Sequence, residues 1–229
     1  MTDKMFSVVK AGIRFLPFGL FAILLLTGCQ EQNNDGRCHI YGTVGQADKV
    51  EGKRIFLVPL TGPATAETVD SVEVKDGKFE FSPDSMQMYK ILLDYHYRLG
   101  FETLIIVGEP GNIYVTIDSI SHGRGTAQND SLEKWKDVTE KHNREYAYLN
   151  RAAESAKKSG KTQQADSLSA EAKRMHLGYK QFSRRMADNL KEGVLHDFLK
   201  EHFPLTYKRK MPDGTVITMD ADTNEPIQE

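Results

Sequence analysis

The chain has 229 residues with 30 basic and 32 acidic side chains, and its net charge of −2 is too balanced to indicate nucleic acid or anionic lipid as a partner. It holds two cysteines, Cys29 and Cys38, and no Cys-x-x-Cys pair, which excludes thiol–disulfide exchange by an intramolecular dithiol. No segment beyond residue 28 reaches the roughly 20 apolar residues that cross a bilayer.

Residues 1–28 predict a lipoprotein signal peptide. Basic residues come first, and the apolar run 15–26 that follows is too short to span a membrane. Leu26-Thr27-Gly28-Cys29 then resembles the lipobox of bacterial lipoproteins, whose cysteine receives a diacylglyceryl group and becomes the first residue of the mature chain. The alternative is an ordinary signal peptide that happens to contain a cysteine.

Lipidation of Cys29 predicts a membrane anchor, because each buried CH₂ contributes roughly 0.8 kcal/mol and two or more acyl chains hold firmly. Cleavage before Cys29 removes 28 of 229 residues and leaves 201, with 27 basic and 31 acidic side chains. That length is sufficient for a proper core. Gln30 stands where an aspartate would retain a lipoprotein at the inner membrane, so we expect the Gram-negative cell envelope, with the outer membrane favoured.

The next two stretches differ in pattern. Residues 29–37 are polar and aperiodic, which predicts a lipidated tether. Residues 38–123 predict a β-sandwich-like domain, because short apolar runs recur between turn signals without a helical pattern. The predicted strands are 38–44, 54–60, the two arms of 72–81, 89–95, 102–107 and 113–117.

One turn within this region has a specific signature. Asp76-Gly77 favours a type I′ turn, which needs positive φ at both central residues. A hairpin around it sets Val74 opposite Phe79 and Val72 opposite Phe81, with all four side chains on one face.

Residues 124–203 predict a long antiparallel helical hairpin. Seam residues step by three and four along 132–156 and again along 168–186, with a break at Lys158-Ser159-Gly160-Lys161. Trp135 is the expected anchor at the root, and His142 falls in the seam. Residues 194–203 add a short helix, and the C-terminal tail 204–229 contains a turn at 211–214 that predicts a short β-hairpin. The fold class is therefore α+β, an antiparallel β-sandwich-like domain followed by the helical hairpin.

The order of these motifs resembles a known family. Residues 40–44, the 72–81 segment, the run Val107-Gly108-Glu109-Pro110-Gly111-Asn112-Ile113 and the run Gly125-Thr126-Ala127-Gln128-Asn129-Asp130 together resemble the domain of unknown function 4369 of Gram-negative, Bacteroides-type envelope lipoproteins. The resemblance covers about residues 38–140. In many such proteins a thioredoxin-like domain follows, but the 26 residues after residue 203 are too few for one. No catalytic residues are implied.

The remaining candidate sites have two interpretations each. Cys38 is either a reactive thiol or a small buried hydrophobe at the start of a strand, and we favour the second. Asn129 and Asp130 with Glu133 could bind a cation or sugar, but a capping box, with Asp130 as N-cap, is favoured. Four aromatic residues could form a platform for a glycan or could be ordinary strand residues, and we prefer the second interpretation. They are Tyr89, Tyr95, Tyr97 and Phe101.

The sequence predicts no metal site and no cofactor, because the seven histidines lack ligand spacing. No nucleophile and base can be paired, so we expect no enzymatic activity. The favoured function is a membrane-anchored envelope lipoprotein that binds a protein partner through the β-domain and the helical hairpin. The alternatives are a carbohydrate- or peptide-binding module, and an accessory to thiol–disulfide interchange or redox homeostasis that acts through Cys38.

Overall fold

The N-terminal part of the chain forms two four-stranded sheets. A computed structural model describes residues 35–94 and 96–227, and its described residues lie in one unit, Gln32–Glu229. The elements of this part are β1 (Cys38–Val44), α1 (Ala47–Val50), β2 (Arg54–Pro59), β3 (Asp70–Glu73), β4 (Lys78–Phe81), β5 (Met88–Leu93), α2 (His96–Leu99), β6 (Leu104–Val107), β7 (Gly111–Ile117) and β8 (His122–Arg124).

The first sheet has the strand order β4-β1-β7-β8 and the second β3-β2-β5-β6. All neighbours are antiparallel except β1 and β7, which run parallel over the whole of β1. Parallel neighbours need a long connection, and here the entire second sheet lies between them in sequence. The predicted α+β class is confirmed, although the sheets are not purely antiparallel. Strand β8 was missed because its three residues carry no apolar alternation.

The Asp76-Gly77 turn forms as predicted at its tip. Both residues have positive φ, 50° and 67°. Lys75 and Lys78 exchange both backbone hydrogen bonds, at 3.0 and 2.9 Å. The Asp-Gly sequence therefore determines the conformation of the turn itself.

Beyond that pair the two arms separate. Strand β3 pairs with β2, whereas β4 pairs with β1, so the predicted pairs Val72 with Phe81 and Val74 with Phe79 are wrong. Each arm gains a partner strand in its own sheet and still turns its apolar side chains into the space between the sheets, where Val74, Phe79 and Phe81 are buried. The turn is a corner between the sheets instead of the end of a hairpin.

The main core fills the space between the sheets. Its fully buried side chains are aliphatic and come from alternate positions of the inner strands, as expected for sheet faces that pack together. They include Ile40, Ile55, Leu57, Ile91, Leu104, Ile106, Ile113 and Ile117.

The C-terminal part is helical, with a final strand pair. Its elements are α3 (Ala127–Lys158), α4 (Thr162–Leu190), α5 (Val194–His202), β9 (Thr206–Lys210) and β10 (Val216–Asp220). Helices α3 and α4 form the predicted hairpin, and β9 pairs antiparallel with β10. Within residues 35–94 and 96–227 we find no helix whose length and hydrophobicity would let it span a bilayer.

A second core joins the helices to the second sheet. Met88 and Val107 from the sheet pack with Leu132 of α3, Ala187 of α4, and Leu195 and Leu199 of α5. Trp135 lies at this root, as predicted. Its indole NH donates to the Ser183 hydroxyl at 3.0 Å, and its ring contacts Phe198 and Phe203 edge-on.

Candidate functional site

The entry to α3 is held by a side chain from the preceding β-turn. Glu109 accepts hydrogen bonds from the backbone NH of Gln128 at 2.9 Å, from the backbone NH of Asn129 at 3.3 Å and from the Gln128 side chain at 2.8 Å. A carboxylate at this position satisfies free NH groups and complements the helix dipole.

The predicted capping box is therefore wrong. The helix begins at Ala127, three residues before the predicted Asp130 N-cap, because Glu109 caps it from outside. Asp130 instead accepts from the backbone NH of Gly125 at 3.1 Å. Glu133 contacts β8, as described below.

Asn129 completes the edge of β6. Its side-chain oxygen accepts from the NH of Val107 at 2.9 Å, and its side-chain nitrogen donates to the Val107 carbonyl at 2.8 Å and to the Thr126 hydroxyl at 2.8 Å. The amide thus takes the place that the peptide of a neighbouring strand would occupy. Gln128 extends the contact, since its side-chain oxygen accepts from the NH of Leu195 at the start of α5. We call Glu109, Gln128 and Asn129 the helix clamp.

A cleft of about 320 Å³ lies between α3 and the ends of β6 and β8. Its buried carboxylate, Glu133, accepts from Lys136 at 2.7 Å, from the Gly123 NH at 2.9 Å and pairs with His122 Nδ1 at 3.1 Å. Burial alone would raise the pKa of Glu133, but these hydrogen bonds outweigh it and hold the pKa below its ordinary value. The Glu133 carboxylate is therefore ionised and bonds α3 to β8.

The serine hydroxyl of the cleft is bonded to the backbone and not to a base. The hydroxyl nearest in sequence to His122 is that of Ser121, and it donates to the carbonyls of Glu102 and Asp118 at 3.0 and 3.1 Å. A serine nucleophile needs a hydrogen bond to its base, so this arrangement does not match acyl-transfer chemistry.

The hairpin seam contains a pair of histidines. His142 Nε2 lies 3.3 Å from His176 Nδ1, and the His142 ring stacks on Tyr179 at 4.3 Å with 6° between planes. Burial lowers the pKa of both histidines, and the proximity of His176 lowers that of His142 further. The Nδ1 atom of His142 is buried without a hydrogen-bond partner.

One face of the hairpin forms an open groove. Two adjoining cavities of about 400 and 240 Å³ share Phe182 and lie between α3 and α4. Their walls follow 3-4 spacing on both helices, so the residues share one face. We call this surface the hairpin groove; it is lined by Ser131, Lys134, Val138, Lys141, His142 and Glu145 on α3 and by Met175, Gly178, Tyr179, Phe182, Arg185, Met186, Asn189 and Leu190 on α4.

Three of the predicted site residues, Cys38, Tyr89 and Phe101, are buried. Cys38 begins β1 and is 5% exposed, and burial raises the pKa of its thiol to about 11. The thiol is then protonated at neutral pH, which favours the interpretation as a core residue over a reactive one. Tyr89 and Phe101 are buried, so neither contributes to an aromatic platform. Tyr95, the side chain of Tyr97, the signal peptide 1–28 and the lipidation site Cys29 lie outside the described residues.

The sequence did not predict a partly exposed row of three aromatic rings. His39, Tyr41 and Tyr114 stack across the outer face of the first sheet, with ring centroids 6.3 and 5.9 Å apart. Tyr41 and Tyr114 are register partners in the parallel pair. The period-two alternation of residues 38–44 and 113–117 placed both tyrosines on an outer face, but only the β1–β7 pairing brings them together.

Comparison with known families supports the resemblance. Residues 38–132 match the family described as Domain of unknown function (DUF4369), which confirms the expected domain over that range. The match begins at the first residue of β1 and ends within α3, so it includes the helix clamp. No curated protein and no solved structure matches the chain.

Proposed function

We propose that this chain, in which a domain of unknown function precedes a helical hairpin, is a membrane-anchored envelope lipoprotein without enzymatic activity that binds a protein partner through its β-domain and hairpin. The observation that carries the proposal is the hairpin groove, where Val138, Met175, Phe182, Met186 and Leu190 form an apolar strip that the described part of the chain leaves open. Exposed apolar patches of this kind mark interaction sites.

The two faces of the hairpin differ in what covers them. On one face Arg184 makes a bidentate ion pair with Asp222 at 2.7 Å, and Lys180 donates to the Ala221 carbonyl, so the C-terminal strand pair is fastened to α4. On the other face Phe182 and Val138 line the groove, and Val138 is 36% exposed. A hairpin that stabilised only its own fold would have no need of these two apolar side chains on its open face.

The absence of enzymatic activity is supported by two placements. The buried thiol of Cys38 is held protonated, which opposes a redox role, and the Ser121 hydroxyl is bound to backbone carbonyls. Both groups are stabilising parts of the β-domain.

The lipid anchor rests on the Leu26–Cys29 motif and has its own test. We expect the wild-type chain, expressed in a Gram-negative host, to incorporate labelled palmitate and to fractionate with the outer membrane. A Cys29→Ser variant loses the label. Equal labelling of both proteins would refute lipidation at Cys29.

Partner binding is tested by photo-crosslinking in intact cells. A photoreactive amino acid at Val138 or Lys141 is expected to capture one discrete protein, identified by mass spectrometry, whereas the same group at Lys208 on exposed β9 serves as the control. Addition of Phe182→Glu to the Val138 probe should abolish the product. Crosslinks from the control position alone, or none from the groove, would contradict the proposal.

A second candidate is a carbohydrate- or peptide-binding role, which the partly exposed row of His39, Tyr41 and Tyr114 favours. Stacked aromatic rings offer apolar faces of the kind that sugar rings contact. Titration with soluble cell-wall oligosaccharides should then give binding that Tyr114→Ala removes. Unchanged binding in that variant would exclude this surface.

A further inference from the structure

We infer that the partner element that occupies the hairpin groove is an acidic amphipathic helix of about four turns. The inference rests on the proposed function and adds the chemistry of the partner.

The charges beside the groove are unbalanced. Lys134, Lys141 and Arg185 line it, and Glu145 is its acidic residue. All three cations are exposed, and within residues 35–94 and 96–227 none of them has an ion-pair partner. Charges of one sign around an apolar surface steer and select a partner of the opposite sign.

The dimensions match a helix. The α3 wall runs from Ser131 to Glu145, which at 1.5 Å per residue is about 21 Å. The larger apolar side chains of the groove come mainly from α4, where Met175, Phe182, Met186 and Leu190 are spaced by seven, four and four residues, and Val138 adds one from α3. A third helix packs into such a surface through side chains at i, i+3, i+4 and i+7. About 14 residues of partner helix would fill this length.

Gly178 provides a reason to expect close approach. It lies in the interior of α4, where glycine costs about 1 kcal/mol relative to alanine. A Cβ added there would meet nothing within 4 Å, so packing inside the chain does not require the glycine. The missing side chain leaves space in the groove, where a partner side chain can enter.

A second copy of the chain fits the groove less well. A two-fold interface brings the same surface of both copies together, so the cations of one groove would face those of the other. Like charges that face each other across an interface repel, and an acidic helix from a different protein avoids this repulsion.

The test uses the full-length chain in phosphatidylcholine nanodiscs and two labelled peptides of about 18 residues, long enough to form helices. Both peptides carry leucines at i, i+3, i+4 and i+7; one has glutamates at its other positions and the other lysines. Binding is followed by fluorescence anisotropy, with empty nanodiscs as background. We expect the acidic peptide to bind and the basic one to remain free.

Two groups of variants locate the site. Replacement of Lys134, Lys141 and Arg185 by Glu should weaken binding of the acidic peptide by about tenfold or more. The same variant should bind the basic peptide. Reversal of the exposed Lys208, Arg209 and Lys210 of β9 changes the net charge equally and should have little effect.

Gly178→Leu is an independent test of the site, because leucine fills the groove and has a higher helix propensity than glycine. We expect the folded chain to keep or gain thermal stability and to lose the peptide.

The outcomes separate the inference from the proposed function. Equal binding of the acidic peptide to the wild type and to the groove triple variant overturns the inference. If neither peptide binds but crosslinks from the groove still form in cells, the inference of an acidic helix is wrong, whereas the proposal of partner binding is supported. A concentration-dependent dimer that Gly178→Leu abolishes would identify a second copy as the occupant and also overturn it.

Discussion

Substitution of Asn129 by alanine should destabilise the whole chain, because this one side chain bonds both backbone polar groups of a buried residue, Val107. Asn129 is 1% exposed and Val107 is fully buried. The variant leaves the NH and the C=O of Val107 without partners, in a place that α3 closes to water.

The size of the effect follows from those two groups. Each buried polar group that loses its partner costs about 1–3 kcal/mol, and alanine recovers a few tenths through its helix propensity. We expect the free energy of unfolding to fall by about 3 kcal/mol. That value is a large fraction of the 5–15 kcal/mol typical of a domain.

Urea unfolding followed by circular dichroism measures this loss as a lower midpoint at an unchanged slope. Asn150→Ala is the matched control. It removes the same amide from the same helix, but its partner is the Tyr146 carbonyl one turn away within α3. A loss below about 0.5 kcal/mol for Asn129→Ala, or one equal to the control, would refute the reasoning.

Three further predictions concern other buried groups. Burial lowers the pKa of His142 and His176 in the folded chain, so the unfolded chain binds more protons below about pH 6.5. The urea midpoint should therefore fall as the pH drops from about 7 to 5, and the double His→Gln variant should flatten this dependence. Arg184→Ala removes the bidentate partner of the partly buried Asp222, which keeps only Lys180 at 3.8 Å, and should cost about 2 kcal/mol in urea unfolding. Arg184→Lys should recover little of this, because lysine cannot form the bidentate pair. Cys38 should resist a maleimide reagent until the chain is denatured, and labelling of the native chain at the denatured rate would show that the thiol is accessible.

The helical hairpin was predictable because its signal is local. Steps of three and four residues placed His142 in the seam and Trp135 at the root, and the structure has both there. The strand positions were predictable for the same reason, since apolar alternation depends on neighbours in the chain.

The partners of these elements could not be read in the same way. Val72 and Phe81 flank a good turn, yet they lie in different sheets, because strands from distant parts of the sequence compete for them. The start of α3 was misplaced because Glu109, which caps it, precedes the helix by eighteen positions.

The hairpin groove depends on an even more distant contact. Its residues fit the 3-4 pattern, but the pattern does not state which face remains open. That is decided by the ion pair of Arg184 with Asp222, which fastens the C-terminal strand pair to the other face. No local signal connects two residues so far apart in the chain.

The position of β1 has a mechanical consequence for an anchored protein. The proposed tether leads directly into this strand, and β1 is bonded along both edges, to β4 and over its full length to β7. A pull from the membrane therefore acts on a central strand and must break two rows of hydrogen bonds before the chain can peel away. An edge strand at the same point would give way through one row, whereas a load on β1 meets both rows once it reaches Ile40.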